Sequence, residues 1–295
     1  MAVAPRAGAL DLARASHRSR VLRERAAALV THVVLLVGGV AMLTPFAWMV
    51  STSLKRPGDV FAFPPEWIPS PIQWGNYAET WRSAPFDHYL INTVVVSVSV
   101  TILDLTTSAL AAYSFSRLRF AGRDRLFLLY LGTLMIPGQV TIIPNFVLMK
   151  YLGWTDTYLA LIIPPAFSAF GTFLLRQFFM SIPYELEEAA KIDGASYPRI
   201  WATIILPLSG PALSTLAVFS FMSQWNNFLW PLIVTSSNNM RTFTVGLRFF
   251  VDEYSTKYHL LMAGSVMSIL PILVVFVFFQ RYFVRSIRLT GMGGT

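Results

Sequence analysis

The chain has 295 residues, of which 55% are hydrophobic and 13% are charged. Soluble domains carry about 25% charged residues, so the composition excludes an ordinary soluble protein and indicates a chain that crosses a membrane several times. The formal net charge of +8 raises the question of nucleic-acid binding, and the absence of cysteine excludes disulfides and thiolate ligands.

The N-terminal segment, residues 1–25, is basic and holds six arginines against two acids. The apolar run that follows is too long for a cleavable signal peptide, so we predict a cytoplasmic tail that helps to set the topology. A basic amphipathic helix on the membrane surface is the alternative. No Asp, Glu, Lys or Arg occurs from Ala26 to Leu54, which predicts a first membrane span over about residues 28–52.

Residues 57–88 are predicted to be an outer loop, because prolines interrupt any long helix and three tryptophans suit a membrane interface. The apolar runs beyond it predict five further spans within a membrane domain of residues 26–295: about 89–115, 126–149, 157–178, 203–234 and 260–282. Pro137 predicts a kink in the third span. Three prolines predict that the fifth span is bent or ended: Pro207, Pro211 and Pro231.

The distribution of basic residues sets the topology. With the N-terminus inside, cytoplasmic segments carry 16 Lys and Arg residues and outer segments carry 7. This asymmetry fits the positive-inside rule, accounts for most of the net charge and argues against nucleic-acid binding. Both termini, the turn at residues 117–125 and the loop at residues 183–207 are therefore predicted to be cytoplasmic.

A charged, helix-prone segment at residues 184–211 interrupts the apolar runs. Acidic side chains fill the first turn of its predicted helix, where they complement the positive end of the helix dipole: Glu185, Glu187 and Glu188. Gly194 suits the position just after the helix, and Ser196 is predicted to cap a second helix. The segment is too polar to span the membrane, so it must lie at one face, where a soluble partner can bind it.

The spacing within this segment resembles the EAA loop of ABC importer permeases. The match comprises Glu188, Ala189, Ala190, Asp193, Gly194, Ala195, Ile204, Leu206 and Pro207. In that family the loop is the coupling helix, which docks into a cleft on an ATPase subunit. The resemblance therefore implies an ATPase-docking site formed by these residues together with Glu185, with motion passed to the fifth span as a rigid element. Ala189 and Ala190 would let the helix enter a groove on the ATPase.

The resemblance extends over roughly residues 30–285 and points to the carbohydrate-importer branch, specifically the second permease subunit of maltose-like importers. Segments that carry it lie at residues 152–158, 173–186, 225–231, 261–264 and 280–284. It implies an all-α integral membrane protein with six transmembrane helices and the type I importer permease fold, located in the plasma (inner) membrane. The implied partners are a related permease, two ATPase subunits that hold ATP and Mg²⁺, and an extracytoplasmic solute-binding protein.

The chain shows no catalytic set of its own. Its four histidines are scattered without metal-ligand spacing, and no phosphate-binding G-x-x-x-x-G-K-[ST] loop occurs. We therefore predict a transport subunit that is not an enzyme, binds no metal or cofactor itself, and takes its energy from a partner.

Polar side chains inside the spans are the candidates for a substrate path, because a lipid-facing polar group is costly. The densest group is Gln224, Asn226 and Asn227, and Asp104 is an acid well inside a span. Hydrogen bonding between helices is an equally good interpretation of all of them. Weaker candidates are Gln139, Asn145 and Asn92.

The resulting hypothesis is an importer permease for a sugar or oligosaccharide. Glycerol phosphate or another polyol is the alternative within the same class. Outside it, the alternatives are an ion-coupled secondary carrier and a membrane scaffold or channel subunit whose cytoplasmic loop is only a docking site. The resemblance also implies that the outer loop at residues 235–259 reaches toward the binding protein, with a mobile polar tip at residues 236–239.

Overall fold

The computed structural model describes residues 7–251 and 256–291, and the surroundings of side chains for residues 23–251 and 256–278. Within these ranges the chain is helical, and its one strand-like pairing is an isolated bridge between Val251 and Thr256. The all-α class predicted from the sequence is confirmed. The helices are α1 (Ala7–Ser53), α2 (Gly75–Ser83), α3 (Phe86–Arg117), α4 (Arg123–Gly132), α5 (Gly138–Tyr151), α6 (Tyr158–Ile162), α7 (Ala169–Met180), α8 (Glu185–Ile192), α9 (Tyr197–Ile200), α10 (Leu206–Leu208), α11 (Gly210–Trp225), α12 (Leu229–Val234), α13 (Phe243–Gly246) and α14 (Tyr258–Gly291).

Three segments are long and apolar enough to cross a membrane as single helices: Arg23–Ser53, Phe86–Arg117 and Tyr258–Phe278. Three further segments are helix pairs bent at a short break: α4 with α5 by 96°, α6 with α7 by 42°, and α9–α10 with α11 by 80°. Counting each bent pair as one span gives up to six spans in the described part of the chain. Each of these segments overlaps one of the six predicted stretches, and the bounds of the spans stay a prediction.

Proline explains where these segments break, because it lacks a backbone N–H and its ring clashes with the preceding turn. Pro137 lies between α4 and α5, at the position where a kink was predicted, and the bend there is 96°. Pro164 and Pro165 begin a short 3₁₀ turn before α7. Pro211 lies in the first turn of α11, just after the 80° bend.

The predicted fifth span over residues 203–234 is not a continuous helix. Its first residues belong to a π-helical segment, Trp201–Ile205, and α10 follows before the bend at Ser209. The helix α11 then ends at Trp225, and α12 is separate. The prolines and the polar run at residues 224–227 account for both interruptions.

Helix α3 supplies hydrogen bonds to the broken segment between α6 and α7. Thr107 donates its hydroxyl to the carbonyl of Ala166 (2.9 Å), and the Ser108 hydroxyl lies 3.4 Å from the carbonyl of Ser168. The Ser168 hydroxyl in turn accepts from the backbone N–H of Gly171 (2.9 Å) and caps α7. A break inside a membrane requires such partners, because lipid offers none. The polar face of α3 therefore stabilises the break.

The core at the predicted cytoplasmic end forms where α3, α7 and α11 pack together with the α8–α10 segment. Its buried members are Ala109, Ala112, Tyr113, Leu175, Phe179, Ile182, Ile200, Ile205, Ala212 and Leu216. By contrast, α1 leaves most of its apolar side chains exposed, from Leu29 to Phe46. Such an outward apolar surface is expected of a helix that faces lipid or a second subunit.

Candidate functional site

The helix α8 is the first part of the predicted coupling segment. Glu185, Glu187 and Glu188 lie in its first turn, as predicted. The helix ends in a Schellman motif: the N–H of Gly194 donates to Lys191 O (3.0 Å), and that of Ala195 donates to Ala190 O (2.8 Å). Gly194 has φ +81°, a left-handed conformation that favours glycine, so the predicted stop at this residue is confirmed.

The second helix of the segment departs from the prediction. Ser196 occupies the N-cap position of α9, but its side chain makes no capping hydrogen bond. Pro198 stands in the first turn and offers no N–H there, which removes one of the usual partners of a capping hydroxyl. The second helix does not continue straight into the fifth span, because a π-helical segment and an 80° bend intervene, and the transmission of motion as a rigid element stays a prediction.

The residues matched to the EAA pattern divide into an exposed set and a packed set. Glu185, Glu188, Ala189, Asp193, Gly194 and Pro207 are exposed. Ala190, Ala195, Ile204 and Leu206 are partly buried and pack against the core of this chain. Ala190 is partly buried against the core of this chain, and its expected entry into a groove on a partner stays a prediction. The exposed set is accessible for contact with another protein.

A buried ion pair that the sequence reasoning missed fixes α8 on its inner side. Nε of Arg117, the last residue of α3, lies 3.1 Å from Oε1 of Glu187, and the two side chains are 0% and 1% exposed. Helical periodicity separates Glu187 from both neighbouring acids, because successive residues in a helix point about 100° apart: Glu185 lies nearly opposite and Glu188 lies to one side. That periodicity could have shown that Glu187 faces another way from the other two acids. Nothing in the sequence indicated that its partner is Arg117, 70 positions earlier.

The second candidate site is a cleft of about 510 Å³ between α3, the end of the α4 segment, the break before α7, and α11. Asp104 is 4% exposed at this cleft, and the Ser108 hydroxyl donates to its carboxyl at 2.9 Å. The side chain of Ser220 on α11 interacts with the same carboxyl. The polar lining comprises Asp104, Thr133, Ser168, Ser220, Ser223 and Gln224, and aromatic rings border it at Phe167, Phe170 and Phe219.

The structure brings together two of the four predicted path residues. Asp104 and Gln224 line the same cleft. Asn227 does not line it, but donates its side-chain amide to Oε1 of Gln224 at 3.4 Å. Asn226 is exposed and donates its side-chain amide to the Met222 carbonyl of its own helix (2.9 Å).

Ser220 and Ser223 are cleft residues that the sequence reasoning overlooked. Leu216, Ser220 and Ser223 are spaced by four and three residues, and Gln224 is next in the chain. This helical spacing places all four on one face of α11. This polar stripe in an apolar helix was a readable signal. The sequence pattern did not single out Ser168 and Thr133, because it is the breaks between helices that bring them to the cleft.

The weaker path candidates lie elsewhere. Asn92 is 3% exposed and donates its amide to the carbonyls of Asn239 (2.7 Å) and Arg241 (2.9 Å). It also accepts from the hydroxyl of Tyr158 at 2.5 Å, so it connects α3 to the outer loop, and it does not line the cleft. Gln139 is exposed and Asn145 is half-buried on α5, and neither lines the cleft.

The polar tip at residues 236–239 is tethered by hydrogen bonds to other segments. The backbone N–H groups of Ser236 and Ser237 both donate to Oδ1 of Asp156 (2.9 and 3.0 Å), and Asn92 holds the following carbonyls. Burial alone would raise the pKa of the Asp156 carboxyl, but these hydrogen bonds outweigh it and hold the pKa below its usual value. The tip is therefore hydrogen-bonded to the turn before α6.

The described residues contain no cluster of His, Asp or Glu that could hold a metal ion. Sequence and structure comparisons identify the family instead. The family model described as a binding-protein-dependent transport system inner membrane component matches residues 104–289. The chain is 38% identical to the arabinooligosaccharides transport system permease of Halalkalibacterium halodurans, over 83% of this chain and 86% of that protein. It is 37% identical to the sn-glycerol-3-phosphate transport system permease of Pectobacterium atrosepticum, over 87% and 94%.

Solved structures agree with this assignment. A bacterial ABC transporter involved in the import of the acidic polysaccharide alginate matches with a TM-score of 0.78 and 26% identity, over 88% of this chain and 98% of that one. An inward-facing methionine ABC transporter matches at a TM-score of 0.51 and 14% identity, which supports the fold alone. The chain belongs to the inner-membrane components of binding-protein-dependent transport systems, and it is a permease subunit of an ABC importer.

Proposed function

We propose that this permease subunit moves a sugar or oligosaccharide inward through the cleft between Asp104 and Gln224, and that partner ATPases drive the movement. The observation that carries the proposal is the cleft itself. Two breaks in the spans border it, near Thr133 and at Ser168. Irregular backbone at membrane depth is tolerated where protein buries it or where it lines a water-filled cavity, and broken helices mark many transport sites.

The lining chemistry favours a polyhydroxylated substrate. Hydroxyl, amide and carboxyl groups can exchange hydrogen bonds with sugar hydroxyls, and the bordering phenylalanine rings can cover an apolar sugar face. The relative from Halalkalibacterium halodurans, named for arabinooligosaccharides, supports this substrate class.

Glycerol phosphate is the second candidate, because a relative with 37% identity is named for it. A phosphate group favours arginine or lysine partners. None occurs in the described lining, which instead carries the Asp104 carboxyl. A phosphorylated substrate would therefore need cationic groups from another subunit. Carboxylated sugars are to be tested alongside phosphorylated ones, because the similar alginate transporter is involved in the import of an acidic polysaccharide.

The proposed assembly contains a second permease, two ATPases that hold ATP and Mg²⁺, and an extracytoplasmic binding protein. The exposed face of α8 supports the ATPase contact, because Glu185, Glu188 and Asp193 present three acids there. The proposed topology places both termini and this face in the cytoplasm. The proposed spans lie near the predicted ones.

The direct test is uptake by the purified complex in proteoliposomes. Binding of sugars to the cognate binding protein, measured by thermal shift, first selects the substrate. We expect uptake of that substrate to require ATP and the binding protein. Uptake driven by a proton or sodium gradient without ATP would instead indicate a secondary carrier.

A further inference from the structure

One guanidinium group joins three segments at the end of the molecule that carries α8. Nη2 of Arg117 donates to the carbonyl of Ile182 (2.6 Å) and also to that of Phe179, both at the end of α7. Its Nε faces the carboxylate of Glu187 at 3.1 Å. The guanidinium carbon lies 4.3 Å from the centroid of the Tyr184 ring, a cation–π geometry.

A second contact reinforces this junction. The hydroxyl of Tyr184, at the start of α8, donates to the Ser116 carbonyl near the end of α3 (3.0 Å). Because Arg117 and Glu187 are both almost fully buried, neither can exchange its partner for water. The end of α3 and the first turn of α8 are therefore held together on the inner side of α8, while the acids of its outer side stay exposed.

Two routes lead from α8 to the Asp104 cleft. The covalent route passes the left-handed Gly194, a π-helical segment and the 80° bend at Ser209 before it reaches α11. The other route crosses the Arg117 junction and enters α3, which is one continuous helix. Asp104 lies 13 residues from Arg117 on that helix. That separation corresponds to about 20 Å at 1.5 Å per residue.

We propose that Arg117 is a positioning residue that transmits the movement of α8 to the cleft through α3. A continuous helix moves as a rigid element, whereas a bend can absorb displacement. When a partner shifts α8, the Arg117–Glu187 pair pulls the end of α3 with it, and Asp104 moves relative to Gln224 on α11. This inference rests on the proposed function, in which an ATPase docks on α8.

The test measures substrate imported per ATP hydrolysed in the reconstituted complex, normalised to the amount of ATPase that co-purifies. Glu187→Gln keeps the shape of the side chain and removes the charge of the pair. We expect co-purification and hydrolysis to persist, while uptake per ATP falls by about tenfold, a value within the usual range for coupling between sites. The matched control is Asp124→Asn, whose ion pairs with Arg123 and Arg176 involve a carboxylate that is 68% exposed. It should retain the wild-type ratio.

A second variant keeps the test informative if Glu187→Gln fails to fold. Arg117→Met combined with Glu187→Leu leaves no unpaired buried charge, and such apolar replacements of buried pairs are often tolerated. An assembled double variant with a low ratio supports the proposal. A wild-type ratio in either assembled variant overturns it, and so does failure of both to assemble, which would show a folding role alone. ATP-independent uptake by the wild-type complex would instead refute the proposed function.

Discussion

The Ser108 hydroxyl donates a hydrogen bond of 2.9 Å to the carboxyl of Asp104, one helical turn away on α3. The same face of α3 receives α7 at Gly171, where no side chain separates the two helices. A polar group inside a membrane protein is costly unless it has partners. The position of Asp104 at the cleft is thus fixed by its own helix and by the close approach of α7.

The first prediction concerns the cleft. Gln224→Leu removes an amide from the lining, and we expect uptake to fall about tenfold, which corresponds to about 1.4 kcal/mol of lost hydrogen bonding. Co-purification of the partner subunits should be unchanged. Thr106→Val is the control, because Thr106 is exposed on α3 and bonds the Ile102 carbonyl of its own helix. Loss of assembly in Gln224→Leu, with normal uptake by the complexes that do form, would assign Gln224 to packing.

The second prediction concerns the contact between α3 and α7. A Cβ at Gly171 would lie 2.5 Å from Oγ of Ser108 and 3.1 Å from Oδ1 of Asp104. Gly171→Ala should therefore destabilise the complex by about 1–3 kcal/mol, the usual cost of overpacking. Gly132→Ala is the matched control, because a Cβ there meets no atom within 4 Å. Thermal unfolding of the two variants measures the difference, and equal midpoints would contradict the close contact.

The third prediction concerns the tethered outer loop. Asp156→Asn removes the charge that accepts the Ser236 and Ser237 amides, so hydrogen exchange at those amides should accelerate. The pKa of Asp156 is lowered in the folded state. The stabilisation that its carboxylate gives is therefore complete above the ordinary pKa of 3.8, and it is lost as the pH falls through the lower pKa of the folded state. Protection in the wild type should therefore persist at mildly acidic pH.

If wild-type protection of these amides is lost at neutral pH, or if Asp156→Asn leaves their exchange unchanged, the carboxylate does not hold the loop. Ser83→Ala serves as a control, because the Ser83 hydroxyl bonds the Glu79 carbonyl of its own helix, α2, and not the tethered outer loop.

The fourth prediction concerns topology. The chain contains no cysteine, so single cysteines report on location without interference. Cysteines introduced at the exposed positions Ser70 and Ala121 should label from opposite sides, Ser70 from outside and Ala121 from the cytoplasm. Labelling of both from one side would contradict the arrangement of the first two spans.

Local features of this molecule were predictable from the sequence, because they depend on neighbours in the chain. The positions of the helices follow from apolar runs, the bend at Pro137 from a missing N–H, and the end of α8 from the conformational freedom of Gly194. The cap at Ser196 failed for a local reason that was readable, since Pro198 follows it in the first turn.

Long-range pairings were not predictable in this way. Nothing in the sequence near Arg117 indicates that its partner is Glu187 rather than Glu185 or Glu188. Gln224 and Asp104 were each singled out as polar residues in apolar runs, but their meeting in one cleft depends on how α3 and α11 pack. Asn92 was chosen on the same ground, but it is buried beside the outer loop, where it donates to the carbonyls of Asn239 and Arg241.

The central claim is that the exposed face of α8 is where an ATPase acts on this subunit. Glu188→Lys reverses an exposed charge on that face, and Gly194→Val forces a β-branched residue into a conformation with φ +81°. Both leave the membrane spans unaltered, so insertion should survive. The most direct measurement is co-purification of the ATPase together with ATP-driven uptake by the Glu188→Lys complex. We predict loss of both relative to wild type, whereas wild-type co-purification and uptake would show that α8 is not the coupling element.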